Sequence, residues 1–253
     1  MAKMLHRPQR PARPRFRRAR ATLVLLGITW MLFFIMQLVP QSIRENMAQA
    51  LALSPNGLQR GWFWQVITHL FVHDGFWHLL VNSALLYFAG RALERTIGIR
   101  RFLIVFFLGG LFGAAVEHLA ALDAGARTTL IMGNSAATCA VLLTLAILRP
   151  RSEGLLLFFV IPIRIQTALF AGVILVSSLV LAIVTPASGV GNLGHFAGAC
   201  CGLMLGFLMR SSRRQEVLSR GSRLERSQTA HERVVRSRAI TPRSPEHVQS
   251  REG

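Results

Sequence analysis

Three polar clusters interrupt the apolar stretches of this chain: His78 with Asn82, Ser135 within Gly133-Asn134-Ser135-Ala136, and His195 within Gly194-His195-Phe196-Ala197-Gly198. Their residue types fit one kind of chemistry. A serine hydroxyl becomes a useful nucleophile once a base takes its proton, and histidine has a suitable pKa for that task. Attack on a carbonyl creates an oxyanion, which needs donors fixed in place. An Asn amide, a His N–H and the unpaired backbone N–H groups near a helix start can supply them. No buried Asp or Glu is obviously placed to orient His195, so the set reads as a Ser-His dyad rather than a triad. The chemistry this predicts is acyl transfer inside a membrane.

The elements that must position these groups are membrane helices. Of 253 residues, 52% are hydrophobic and only 16% charged, against about 25% charged in a soluble domain. The charge is segregated as well: arginines crowd the first twenty residues and everything after Met209. We therefore expect an all-α, polytopic membrane protein in three parts. Residues 1–20 form a basic, disordered cytoplasmic N-terminus, 21–210 a six-helix membrane domain, and 211–253 a basic, disordered cytoplasmic tail. The first span is Ala21 to Val39. Ala48-Gln49-Ala50 resembles a signal-peptide cleavage site, but the apolar run exceeds a usual signal core and reads as a retained helix.

Further spans are expected at Phe76 to Leu93, Phe102 to Leu122, Ile131 to Leu148, Ala168 to Thr185 and Val190 to Met209. Between the first two spans, Ser54-Pro55-Asn56-Gly57 marks a turn, and Trp62 and Trp64 suit the interfacial belt. Leu155 to Ile163 is too short to span and reads as an interfacial lead-in to the fifth helix. Arginines set the orientation. Arg91, Arg95, Arg100 and Arg101 lie between spans two and three, Arg149, Arg151 and Arg164 between four and five, and Arg210, Arg213 and Arg214 after six. The opposite loops are poor in positive charge. Both termini then face the cytoplasm.

With that topology, helices two, four and six all run inward, and the three clusters fall at one depth. At 1.5 Å per residue they lie roughly 5–10 Å below the outer helix ends. His78 and Asn82, four apart, share a helix face. Polar side chains at such depth usually face a bundle interior and mark function. Gly194, Gly198, Gly202 and Gly206 form a small-residue stripe on helix six, while Ala136, Ala137 and Ala140 offer a similar surface on helix four. Contact between those two helices would bring Ser135 to His195.

The formal charge of +18 follows from the basic flanks of membrane helices, and no recognition motif for nucleic acid accompanies it. Cys139, Cys200 and Cys201 read as small packing residues rather than a disulfide framework. The reading calls for no cofactor and no metal.

In order and spacing, these motifs resemble the rhomboid intramembrane serine proteases. The matching segments are Trp64-Gln-Val-Ile-Thr-His-Leu-Phe-Val-His73, Trp77-His-Leu-Leu-Val-Asn82 leading to Gly90-Arg-Ala-Leu-Glu94, Gly133-Asn-Ser-Ala136, and Gly194-His-Phe-Ala-Gly198 with Gly202. The resemblance runs from about Trp64 to Met209. It implies Ser135 as nucleophile, His195 as base, His78 and Asn82 as oxyanion donors, and Gly133, Ala136 and Gly198 as active-site packing. It implies transmembrane proteins as substrates and the lipid bilayer as the medium. Ala136 stands where the family's Gly-x-Ser-Gly ends in glycine, adding a methyl beside the nucleophile. Cys139 stands where the family commonly has an aromatic packed on the histidine, so His195 needs another support.

Two other readings are open at this level. A rhomboid-like protein without activity would keep the fold and bind membrane helices. A small metal or ion transporter would use His69, His73, His78 and Asp74, with Glu117 and His118, near the outer surface. In either case Ser135 would be a packing residue, which is the usual role of a serine early in a membrane helix. Localisation to a bacterial inner membrane fits the topology best. The Arg-rich, acid-free N-terminus is also compatible with an organellar transit peptide.

Overall fold

The computed structural model describes residues 19–158, 161–184, 191–212, 215 and 219. The basic N-terminus and tail expected from the sequence therefore fall almost wholly outside the described residues. In chain order the helices begin with α1 (Arg20–Leu38), α2 (Gln41–Leu51), α3 (Pro55–Gln59) and α4 (Gln65–Thr68). A 3₁₀ turn, His69–Phe71, leads to α5 (Phe76–Leu85), and a π-helical turn, Leu86–Gly90, joins that to α6 (Arg91–Ile97). Then come α7 (Ile99–Asp123), α8 (Ser135–Leu148), a hairpin of β1 (Glu153–Phe158) and β2 (Ile161–Gln166), α9 (Thr167–Val184) and α10 (Asn192–Ser212). The chain divides into two compact units, Met1–Phe207 and Leu208–Gly253. In the second, residues 208–212 form the end of α10.

This is a multi-pass membrane protein. Among the described residues four helices, α1, α7, α9 and α10, are long and apolar enough to cross a bilayer. The other two predicted spans correspond to the helical run from α5 through α6 and to the shorter α8. Nine residues of α8 are buried: Ala137, Thr138, Ala140, Val141, Leu142, Leu143, Thr144, Leu145 and Ala146. A helix apolar on every side belongs at the centre of a bundle, and α8 occupies that place.

Small residues bring the neighbours close to it. A Cβ added at Gly109 of α7 would overlap the Ala140 methyl, and one at Gly202 of α10 would overlap the Ala140 backbone. Thr144 Oγ1 donates to the Gly202 carbonyl at 2.9 Å. Such contacts let helices pack where lipid offers no hydrophobic drive toward association.

Glu94 of α6 lies among Arg91, Arg95 and Arg100 in the sequence, but its hydrogen-bond partners come from another helix. Its carboxylate accepts from Ala21 N at 3.0 Å, Thr22 N at 2.9 Å and Thr22 Oγ1 at 2.7 Å. It thereby caps the first turn of α1. Those N–H groups have no carbonyl one turn behind them, and a carboxylate at a helix N-terminus is worth up to about 2 kcal/mol when partly buried.

The segment read as an interfacial lead-in is a two-stranded antiparallel hairpin, pairing Glu153 with Gln166 through Phe158 with Ile161. Its base is closed by Thr167 N donating to Ser152 O at 2.9 Å and by the two hydroxyls at 2.9 Å. A short apolar segment beside a membrane must satisfy its backbone locally, and pairing with its own return strand does so.

Candidate active site

The backbone around Ser135 is built by contacts far apart in sequence. Leu53 and Ile131 form an isolated antiparallel bridge, with N–H···O distances of 2.9 and 2.7 Å in the two directions. Gly133 N donates to the His69 carbonyl at 2.9 Å, and His69 donates from Nδ1 to the Gln65 carbonyl at 2.9 Å. His69 thus holds the loop before Ser135 through its backbone and orders its own turn through its ring. Gly133 has φ +99°, a conformation that L side chains rarely adopt. It turns the chain so that the helix begins at Ser135 itself, four residues later than the Ile131 start read from hydropathy. Ser135 is consequently the first helical residue, and the first N–H groups of α8 have no carbonyl partner a turn behind.

His195 lies one turn into α10, and its Nε2 is 2.6 Å from Ser135 Oγ. The hydroxyl donates to that nitrogen when the ring proton sits on Nδ1. What brings them together is the fit of α10 on the start of α8. A Cβ added at Gly198 would stand closer than 3.0 Å to the Ala136 carbonyl, and the obstacle is backbone, which cannot swing aside. The first glycine of the stripe, Gly194, rests instead on α7, beside the Gly113 carbonyl and Glu117.

The extra methyl of Ala136 has a place of its own. A Cβ at Gly113 would meet the Ala136 Cβ and the Gly194 carbonyl, so the absent side chain of Gly113 is the room that the methyl takes. The methyl beside the nucleophile is thus accommodated by α7.

His78 and Asn82 occupy the first turns of α5 and face the same cavity as Ser135 and His195, a space of about 520 Å³ also lined by Glu117 and Cys139. His78 donates from Nδ1 to Asp74 Oδ1 at 2.6 Å. Its Nε2 edge points at Gly133, where an added Cβ would meet it at 3.0 Å. Asn82 is buried, and its Nδ2 has no hydrogen-bond partner. A buried amide donor is normally paired, so an unpaired one lining a cavity is set to receive an acceptor. His73 packs edge-on against His78 with ring centroids 5.0 Å apart, and neither of its ring nitrogens has a partner. Its pKa is pushed down to about 4, chiefly by burial and next by the nearby His78. The pKa of His69 is lowered too, by burial.

The residues that the dyad reading names, Ser135, His195, His78, Asn82, Gly133, Ala136 and Gly198, lie together here. Two carboxylates were not given their roles by the sequence. Asp74 orients His78, and Glu117 accepts from Gly194 N at 2.8 Å. A sign of Glu117 was available, since a lone carboxylate inside an apolar helix is rarely idle. Among the described residues, no three His, Cys, Asp or Glu side chains gather as a group that could hold a metal ion.

Comparison with known proteins adds a second line. The Rhomboid domain family matches residues 60–212, more than half of the chain. A stretch of 57 residues is 42% identical to the putative rhomboid protease YdcA of Bacillus subtilis (strain 168), covering 22% of this chain and 29% of that protein. The rhomboid protease GluP of the same organism is 26% identical over 99 residues, 39% of this chain and 20% of its own length. The inactive RHOMBOID-like protein 8 of Arabidopsis thaliana is 29% identical over 68 residues, 25% of this chain and 19% of that protein. The matched stretches thus span less than a third of each relative.

Proposed function

The chain belongs to the rhomboid family, and on that premise we propose that it is an intramembrane serine endopeptidase working through a Ser135–His195 dyad. The observation that carries this reading is the 2.6 Å approach of His195 Nε2 to Ser135 Oγ across two helices. Ser135 Oγ attacks the scissile carbonyl of a substrate near or within its transmembrane segment, and His195 Nε2 takes the hydroxyl proton. Asn82 Nδ2, His78 Nε2–H and the free N–H groups at the start of α8 receive the oxyanion. His195 then gives the proton to the leaving amine. Water enters the cavity, and the same groups in reverse order hydrolyse the acyl-enzyme.

A substrate helix reaches this site laterally and must unwind locally, because a closed helix hides its carbonyls in its own hydrogen bonds. The side that offers passage is α9, the least buried of the four long spans at 17% against 33–44% for the others. The arginines beside α6, α8 and α10 support an orientation with both termini cytoplasmic. A bacterial cell membrane is the compartment we assign.

The name of the Arabidopsis relative raises the other reading, a helix-binding protein without activity. One experiment separates the two: cleavage of a single-span model substrate in proteoliposomes by wild type, Ser135→Ala and His195→Ala. Cleavage by wild type and by neither variant supports the protease. No cleavage by any of the three, beside an active rhomboid control, supports the inactive reading.

A further inference from the structure

The ring of His195 has no aromatic partner four residues after Ser135, where the chain carries Cys139, so the support for its position must come from elsewhere. The backbone of α10 is held from another helix. Gly194 N donates to Glu117 Oε2 at 2.8 Å, and the neighbouring His195 N closes the first helical turn onto the Gly191 carbonyl at 2.9 Å. Glu117 therefore does for α10 what a capping side chain does for its own helix, but from a different helix. The first N–H groups of a helix have no carbonyl one turn behind them, and the partly buried Gly194 N–H finds its acceptor in this side chain instead.

The surroundings are shaped to that carboxylate. Side chains are absent at Gly191 and Gly194, and a Cβ at either would meet Glu117, at 3.7 and 3.3 Å. Gly113, one turn before Glu117 on α7, presents its carbonyl to Gly194 at the same contact. One face of α7 thus grips the first turn of α10 at two points one helical turn apart. That fixes both the rotation of α10 about its axis and its rise relative to α8.

We propose that Glu117 is a positioning residue for the proposed dyad, holding the first turn of α10 so that His195 Nε2 meets Ser135 Oγ. This rests on the dyad reading. Glu117 touches no reacting atom; it acts through the Gly194 N–H. The work required is an acceptor at Oε2 rather than a negative charge, so glutamine, which keeps a carbonyl oxygen there, replaces it. Displacement of a catalytic group by about 1 Å can lower turnover on the order of 100-fold, and that is the scale of loss expected once the acceptor is gone.

The test compares full-length wild type, Glu117→Gln and Glu117→Met in proteoliposomes, with Glu117→Ala as a second acceptor-free variant should the methionine variant not fold. We expect kcat to fall about 10- to 100-fold for Met at nearly unchanged KM, and to stay within about 3-fold of wild type for Gln. In detergent, the Gly194 amide should exchange with deuterium faster in Met than in wild type or Gln. An acceptor-free variant with wild-type kcat overturns the proposal, and so does a glutamine variant as impaired as methionine. The exchange measurement needs no activity. Were wild type itself inactive, the dyad reading would fall, while equal Gly194 exchange in wild type and Met would separately overturn the cap.

Discussion

Asp74 and His78 stand one helical turn apart at the start of α5, joined by a 2.6 Å hydrogen bond from His78 Nδ1 to Asp74 Oδ1. With Nδ1–H so engaged, the ring presents an N–H at Nε2 only when both nitrogens carry protons. The proposed oxyanion role of His78 therefore leans on a carboxylate partner. Asp74 is well exposed, with 67% of its side chain open, so water weakens the pair. Replacing Asp74 with leucine is expected to lower kcat about 2- to 5-fold without raising KM, on the scale of an exposed ion pair. Unchanged kcat in steady-state cleavage assays would remove Asp74 from the account.

Asn82 separates a functional role from a structural one. Its Nδ2 is buried without a partner, so in the resting protein the amide is a burden rather than a support. Asn82→Leu should keep or raise the thermal midpoint by the equivalent of about 1 kcal/mol, while lowering kcat on the order of 100- to 1,000-fold, as loss of an oxyanion donor does. Paired unfolding and cleavage measurements decide it. A variant that loses stability and activity together would mean that Asn82 is a packing residue.

Gly198 tests the fit of α10 on α8. Gly198→Ala drives a methyl into the Ala136 backbone, and overpacking of this kind costs typically 1–3 kcal/mol. The helices part at the level of Ser135, so cleavage should fall more steeply than stability. Gly27→Ala and Gly172→Ala are the controls, because nothing lies within 4 Å of a Cβ at either position. Both should stay close to wild type in unfolding midpoint and turnover; a Gly198→Ala protein that matched them would refute the close approach.

His73 predicts a pH dependence of stability. In the folded protein its pKa is about 4, from burial first, while an unfolded histidine protonates near 6.5. Because protonation favours the unfolded chain, this contribution is fully present above pH 6.5. It drains away as the pH falls through that window, and about 3 kcal/mol is gone below pH 4. The lowered pKa of His69 acts in the same direction. His73→Leu should flatten the fall in thermal midpoint between pH 7 and pH 4; an undiminished slope would place the acid sensitivity elsewhere.

The hairpin, the start of α8 and the carboxylate contacts all depend on partners distant in sequence or on strand pairing. Hydropathy places apolar runs, but it does not register that Gly133 is tied to His69 and that Ile131 pairs with Leu53, so it starts the helix four residues too early. Nor can it tell a hairpin from a lead-in helix within a short apolar segment, since periodicity does not separate the two at that length. Glu94 sits among arginines in the sequence, yet its partners are the N–H groups of α1, more than seventy residues earlier.

By itself, the sequence determined the membrane class, because long uncharged stretches have no other stable home. It also marked the candidates for chemistry, because polar groups at depth in apolar helices usually face an interior or a cavity. The order and spacing of His78, Asn82, Ser135 and His195 carried the family resemblance. Only the tertiary structure decided the contacts between helices: the 2.6 Å approach of His195 to Ser135, the room that Gly113 leaves for Ala136, and the grip of Glu117 on Gly194. The physical reason is that periodicity and hydropathy are properties of one helix at a time. Which face meets which, and at what rise, is fixed by side chains removed and carbonyls offered on another helix entirely.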